Sequence, residues 1–329
     1  MATQLIRGGS ILLALAFVGL TLISYPSIND LAFRVAMLII VATSWNIMAN
    51  AGLVSLGHSA FWGVGAYVGL LTANTGMPLG VSITFGFLAG GLLGILLAIA
   101  TARLRGFFFA ICTLGLSEGL RVVALMLPNI TGGAVGLFLA QEARPPLKLI
   151  FLLGSIGAIL AVAIAIVLSR LPFHYACRAM RNQERAAQML GVDPRIYRAR
   201  VMALAGALAG AAGSLNAMYG GYIDPSIAFT LRVTIESQIA PILGGLYTIA
   251  GPVLGSGVIV LLAEWTRLAF GANEGLSQLI FGGILVFAIL FMPLGIVGVW
   301  TKARARRRRD SSMVRGGDPP DAKPRRAGA

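Results

Sequence analysis

The chain has 329 residues, 57% hydrophobic and only 12% charged, with a formal net charge of +14. A soluble domain averages about 25% charged residues, so this composition excludes a soluble globular enzyme and points to an integral membrane protein. Nor does the positive charge mark a nucleic-acid binder: residues 170–200 and 302–329 hold 17 of the 26 basic residues and abut apolar spans, the placement that the positive-inside rule produces.

Several apolar runs reach the roughly 20 residues needed to cross a hydrocarbon core of about 30 Å. They predict ten transmembrane helices, at about 9–26, 31–50, 54–73, 79–102, 107–127, 149–170, 200–219, 233–248, 251–268 and 276–299. The fold expected is all-α, since the alternating ten-residue strands of a membrane barrel are absent. The first window follows Arg7 and lacks an A-x-A cleavage site near Ser24, so it reads as a retained helix rather than a signal peptide. With both termini in the cytoplasm, Arg103, Arg105, the 171–199 loop and the segment from Lys302 all fall on the inner side.

The third window is crowded by Gly52, Gly57, Gly63, Gly65 and Gly69. Glycines allow close helix packing or a broken or re-entrant span where backbone lines a protected cavity. Both readings stand for this window. Ser55, His58, Ser59 and Gly63 are the candidate pathway positions within it. In the fifth window, Glu118 and Arg121 are spaced i, i+3 and are expected to form a structural ion pair. Arg34, Glu236 and Arg267 lie near predicted outer ends, close enough to snorkel, and Glu264 has Arg267 three residues on. Pro241 is expected to interrupt the eighth window.

Between the sixth and seventh windows lies a basic, polar stretch, 171–199, read either as a solvated loop or as a docking elbow. Arg178 to Leu190 consists of helix formers, Gly191 stands where a left-handed stop belongs, and Asp193 and Pro194 restart a helix as N-cap and first-turn proline. Arg181, Glu184, Ala187 and Gly191 are its candidate contact residues. Residues 1–300 thus read as one transmembrane domain. The Arg-, Pro- and Gly-rich residues 301–329 read as a disordered cytoplasmic tail, with Arg306 to Arg309 near anionic lipid.

The sequence carries no phosphate-binding G-x-x-x-x-G-K-[ST], no H-E-x-x-H and no G-x-S-x-G. Cys112, Cys177, His58 and His174 lack metal-ligand spacing. Neither a cofactor nor catalysis is expected, and a transport subunit driven from outside the chain remains. A carrier working alone is the rival from another class.

Five segments then resemble, in order, the signatures of branched-chain amino-acid ABC-transporter permeases of the LivM type. Gly52 to Tyr67 (GLVSLGHSAFWGVGAY) resembles G-L-x-S-L-G-H-A-x-F-x-G-x-G-A-Y, and Arg103 to Leu114, followed by Glu118, resembles R-L-R-G-x-Y-F-A-I-x-T-L-x-x-x-E. Thr131 to Leu137 is similar to T-G-G-x-x-G-L, and Arg181 to Ala187 with Gly191 is similar to the coupling segment R-D-N-E-x-A-A-x-x-x-G. Leu243 to Gly255 is similar to L-G-G-x-G-T-x-x-G-P-x-x-G, with Tyr247 in place of a glycine; Asn182 and Gln183 likewise depart from the pattern. The resemblance implies a permease in a heterocomplex with a second, LivH-type permease, two cytoplasmic ATPase subunits and a soluble substrate-binding protein. It implies branched-chain or similar small neutral amino acids as substrates, with urea or short amides as the alternative carried by related systems.

Overall fold

The structure is a computed structural model that describes residues 26–271, 274–291 and 295–298. The window at 9–26, apart from Pro26, and the tail at 301–329 lie outside the described residues. The described chain is helical except for short turns and one two-stranded ribbon. Its elements are α1 (Pro26–Asn50), α2 (His58–Asn74), α3 (Leu79–Ala100), α4 (Gly106–Met126), α5 (Pro128–Thr131) and β1 (Leu137–Phe138). They continue with α6 (Leu147–Leu168), α7 (Pro172–Asn182), α8 (Glu184–Met189), α9 (Pro194–Gly220) and β2 (Tyr222–Ile223). The last four are α10 (Pro225–Ala228), α11 (Leu231–Gly245), α12 (Ala250–Phe270) and α13 (Glu274–Phe291).

Each of the nine windows from 31–50 onward falls on a helix. By length and composition, however, six helices among the described residues are able to cross a membrane: α1, α3, α4, α6, α9 and α12. Two of the other three are short for physical reasons. The third window is extended through Leu53–Gly57 and only then becomes the 17-residue α2. The eighth gives a 15-residue α11 that continues through Pro241 and stops at Gly245, so the interruption lies four residues beyond the proline. The last, α13, is described over Glu274–Phe291.

The centre of the bundle is α9, buried along most of its length and packed against α1, α2, α3 and α6. Its closest neighbour is α3, and glycine makes that seam possible. A Cβ on Gly90 would stand 2.2 Å from the Gly206 carbonyl oxygen, and one on Gly206 would stand 2.2 Å from that of Gly90. Backbone therefore meets backbone, the small-residue packing used where lipid supplies no hydrophobic drive. Large side chains close the gaps around it: Phe33, Phe61, Phe109, Met48, Ile150 and Met202 are fully buried.

The two ends of the bundle are built differently. At one end, Asn74 Nδ2 donates to the Phe138 carbonyl (3.0 Å), Tyr222 donates to the Val135 carbonyl (3.0 Å), and β1 pairs antiparallel with β2. At the other end, the turns at 51–57, 102–105 and 246–249 meet the segment from α7 to the start of α9. Gly52, at φ +80, sits 3.1 Å (to an added Cβ) from Arg181 Cα, a left-handed turn that also leaves no room for a side chain.

Candidate functional site

Two clusters gather the residues singled out by the sequence. The first surrounds the break before α2. Backbone that leaves helical geometry at membrane depth needs other partners for its N–H and C=O groups, and side chains of neighbouring helices provide them. Trp45 Nε1 donates to the Ser55 carbonyl (3.0 Å), and Leu56 N–H donates to Thr113 Oγ1 (3.0 Å). The Gly57 N–H donates to Ser55 Oγ (3.2 Å). Ser59 N–H donates to Thr234 Oγ1 (3.0 Å), that hydroxyl donates to Ser59 Oγ (2.9 Å), and Ser59 Oγ lies 2.7 Å from Ser117 Oγ. Helices α1, α2, α4 and α11 are thereby tied together through hydroxyl groups at one depth.

His58 belongs to the same cluster. The Ser44 hydroxyl donates to the Val41 carbonyl (2.7 Å), so its oxygen accepts from His58 Nε2, 2.6 Å away. The imidazole therefore carries a proton on Nε2. Its Nδ1 has no hydrogen-bond partner among the described residues.

Ser55, His58 and Ser59 are at most 2% exposed. A Cβ on Gly63 would strike the Phe229 ring at 2.5 Å. Within this chain the candidate pathway positions are thus buried and closely packed. The reason is visible in α2 itself: Gly65 is pressed against Gly210 and Gly69 against Ser214.

Glu118 and Arg121 are joined as the i, i+3 spacing predicts, with Arg121 Nε donating to Glu118 Oε1 at 2.8 Å. They do not lie inside the bundle. The Glu118 side chain is 54% exposed and that of Arg121 32%, on a face of α4 that no other helix among the described residues covers.

The second cluster is the 171–199 segment, a helix–turn–helix elbow. Its predicted single helix is divided: α7 ends at Asn182, Gln183 is extended, and α8 begins at Glu184. The division turns Glu184 inward, where Oε2 accepts from Arg198 (2.9 Å) and Arg105 (3.1 Å). Arg198 also donates to the Ala102 and Leu104 carbonyls (3.3 and 3.0 Å), fastening α9 to the turn before α4. Gly191 adopts φ +85, and Asp193 caps α9 by accepting from Arg195 N–H (2.9 Å), as the sequence predicts.

Ala187 is 1% exposed and cannot serve as a contact residue. Glu184 is committed to its internal guanidinium partners. Arg181 lies over the Tyr247 ring, its guanidinium carbon 3.8 Å from the centroid, so it too is used within the chain. The outward side chains are instead Met189 and Leu190, 89% and 81% exposed at the tip of the elbow. Two adjacent apolar residues before a glycine, inside a polar basic loop, were the available sequence signal for that tip. Beside it a cleft of about 590 Å³ is lined by Arg103, Arg105, Gln188, Asp193 and Arg195, among others.

The elbow also buries two titratable groups. Burial pushes the Cys177 thiol up to about 12, so it stays protonated and unreactive. Burial, and then the neighbouring Arg178 and Arg181, hold the His174 imidazole below its usual range. No group of three or more His, Cys, Asp or Glu side chains among the described residues is arranged to hold a metal ion.

Tyr247 was a departure from the glycine of the family pattern, and its backbone explains why glycine suits the site. It adopts φ +64, the left-handed region, held by Asn46, whose Oδ1 accepts from Tyr247 N–H (3.2 Å) and whose Nδ2 donates to the Thr248 carbonyl (3.0 Å). The stacked Arg181 partly offsets that strain.

Comparison with known proteins identifies relatives of the chain. The chain is 28% identical over 301 residues to the high-affinity branched-chain amino acid transport system permease protein LivM of Escherichia coli, covering 82% of this chain and 69% of that protein. It is 27% identical over 274 residues to LivH of Salmonella typhimurium, covering 75% and 86%. To BraD of Pseudomonas aeruginosa it is 32% identical over 138 residues, 41% of this chain and 43% of that one. No solved structure matches the chain. The model of the branched-chain amino acid transport system / permease component family matches residues 27–289, spanning both the hydroxyl cluster and the elbow, and the chain belongs to that family.

Proposed function

We propose that this multi-pass inner-membrane protein is one of two permease subunits of an ATP-driven importer for branched-chain amino acids. A second, LivH-type permease completes the pore, two cytoplasmic ATPase subunits drive it, and a soluble binding protein delivers substrate. The observation that carries this reading is the match over residues 27–289 together with an elbow that is braced from inside and apolar at its tip. The chain itself has no phosphate loop, so ATP hydrolysis belongs to partner chains.

Ten spans with both termini in the cytoplasm remain the reading: nine helices follow the windows from 31–50 onward, and the segment 9–26 supplies the tenth. Its support is the sorting of turns. The turns at 51–57, 102–105 and 246–249, which the charge pattern assigns to the inner side, touch the elbow, and Asn74, at the start of an outer turn, bonds to the ribbon that the outer segments 128–148 and 220–232 form. Residues 1–300 make up the permease domain, and 301–329 are a separate basic cytoplasmic segment.

Coupling runs through the elbow. Met189 and Leu190 enter an apolar groove on an ATPase subunit, and the Glu184–Arg198–Arg105 cluster transmits the displacement to α4 and α9 as a rigid unit. Gly191 has open space around its Cα, so its role is the left-handed turn that presents the tip.

The test is uptake in liposomes containing the complete complex, with radiolabelled leucine, isoleucine, valine and urea. ATP-dependent accumulation of the three amino acids over urea is expected. Uptake of urea alone, or uptake by the permease without ATPases, overturns the assignment. In the same complex Met189→Ser with Leu190→Ser should release the ATPase subunits while leaving the permease folded; unchanged co-purification would remove the tip from the contact.

A further inference from the structure

The exposed face of α4 has a neighbour that the sequence does not reveal. The midpoint of α4 is residue 116, so Ser117 and Glu118 lie within about 3 Å of mid-helix along the axis. Ser59 Oγ contacts both Ser117 Oγ and Thr234 Oγ1, at 2.7 and 2.9 Å, which puts Thr234 of α11 at the same depth. Arg232 and Glu236 flank Thr234 by two residues each and pair with one another, Nε to Oε1, at 2.6 Å. Glu236 is therefore mid-span rather than near an outer end, because α11 begins deep within the bundle. Two ion pairs, Glu118–Arg121 and Arg232–Glu236, thus stand at the level of one buried hydroxyl triad, beside its Ser117 and its Thr234.

Both pairs are open to the surroundings. Glu118 and Arg232 expose 54% and 70% of their side chains. Gly115, one turn before Glu118 on α4, and Gly119, directly after it, have no described atom outside their own helix backbone within 4 Å of where a Cβ would stand. Charged side chains at this depth face a bundle interior or water, not hydrocarbon. The core of a contact with another subunit is also depleted of charge, and each pair is already satisfied within its own helix.

We propose that this face of α4 and the first turns of α11 line the aqueous path, and that the two ion pairs receive the ammonium and carboxylate ends of a zwitterionic amino acid. The inference rests on the importer reading above and adds the substrate-contacting groups to it. An internal carboxylate–guanidinium pair and a zwitterion carry the same charges in complementary order. Exchanging one pairing for two conserves net charge, so no uncompensated charge is left at mid-membrane. The planar guanidinium fork suits the substrate carboxylate. Gly115 and Gly119 leave the space for the ligand to approach.

Two measurements on the assembled complex test this. In a background of Cys112→Ala and Cys177→Ala, Gly115→Cys and Gly119→Cys should react with a membrane-impermeant methanethiosulfonate, and leucine delivered by the binding protein should slow the reaction at least threefold. Labelling only in the permease without its sister subunit would make this face a subunit contact. Labelling in neither form would make it a lipid face. Either result overturns the proposal. For the charges, Glu118→Gln and Arg121→Gln should each cut leucine uptake at least tenfold while ATP hydrolysis continues, and the double variant should not recover. Recovery in the double variant would mean a purely structural pair. If the wild-type complex carries no branched-chain amino acid but the cysteines still label, the importer's substrate is wrong and the path is right.

Discussion

The seam between α3 and α9 and the open face of α4 are both made with glycine, yet glycine does opposite things in them. In the seam, Gly90 and Gly206 are small because backbone oxygen occupies the space where a side chain would go. On α4, Gly115 and Gly119 meet nothing among the described residues. The first region is complete in itself. The second is half of something, and its charged residues exclude lipid as the other half. Glycine spacing alone does not distinguish the two, because small-residue helix faces serve folding and assembly alike.

The sharpest way to break this comparison is to add bulk to each region. Gly206→Leu forces a side chain into the Gly90 carbonyl and should destabilise the isolated permease by about 3 kcal/mol or more, at or beyond the upper range of core overpacking. Gly119→Leu should leave the same permease within about 0.5 kcal/mol of wild type or slightly stabilised, as for open sites and for glycine replaced in a helix. Thermal unfolding in detergent, followed by the monodispersity of each variant, reads both effects. Similar losses in the two variants would mean that α4 is packed in a way the single chain does not display.

Ion pairs extend the contrast at smaller amplitude. Arg198 is 8% exposed and holds Glu184, Ala102 and Leu104 together. Arg198→Met strips Glu184 of its better partner and should cost about 3 kcal/mol, the low end for a broken buried pair, since Arg105 remains. Arg121→Met on the open face of α4 should cost clearly less stability while, in the complex, costing more transport. If Arg121→Met is the more destabilising of the two in thermal melts of the permease alone, the α4 pair is structural after all.

The sequence made some of this legible and hid the rest for identifiable reasons. Hydropathy placed nine windows on described helices, six of them long and apolar enough to cross a membrane, because a membrane helix must be apolar over its own length. The N-cap Asp193, the left-handed Gly191 and the Glu118–Arg121 spacing were readable, because each depends on neighbours within four residues. The inward turn of Glu184 was not, since Arg198 and Arg105 lie far away in sequence and meet only when α9 docks beside the 102–105 turn. Nor was the depth of Glu236, which depends on Ser59 bringing Thr234 level with Ser117. The burial of Ala187 and of the glycine-rich α2 had the same origin: a local pattern sets which face is small, and tertiary contact decides what covers it.

The smallest effect expected lies in the elbow, where burial meets water, and it tests whether that region is as closed as the seam. His174 on α7 is held below its ordinary titration range by burial first, and then by Arg178 and Arg181. The sign follows from proton counting: as pH falls through the unfolded imidazole's value of about 6.5, the unfolded chain takes up a proton that the folded elbow refuses. Stability from this group is therefore complete above that pH and declines on acidification, until the folded imidazole also protonates. His174→Gln keeps a hydrogen-bonding group of similar size and cannot titrate. The drop in melting temperature between pH 7.5 and pH 5.5 should be smaller in this variant than in the wild type, with the two closest at the higher pH. An equal drop in both proteins would show that the His174 ring reaches water freely, and that the elbow is looser than the α3–α9 seam to which α9 connects it.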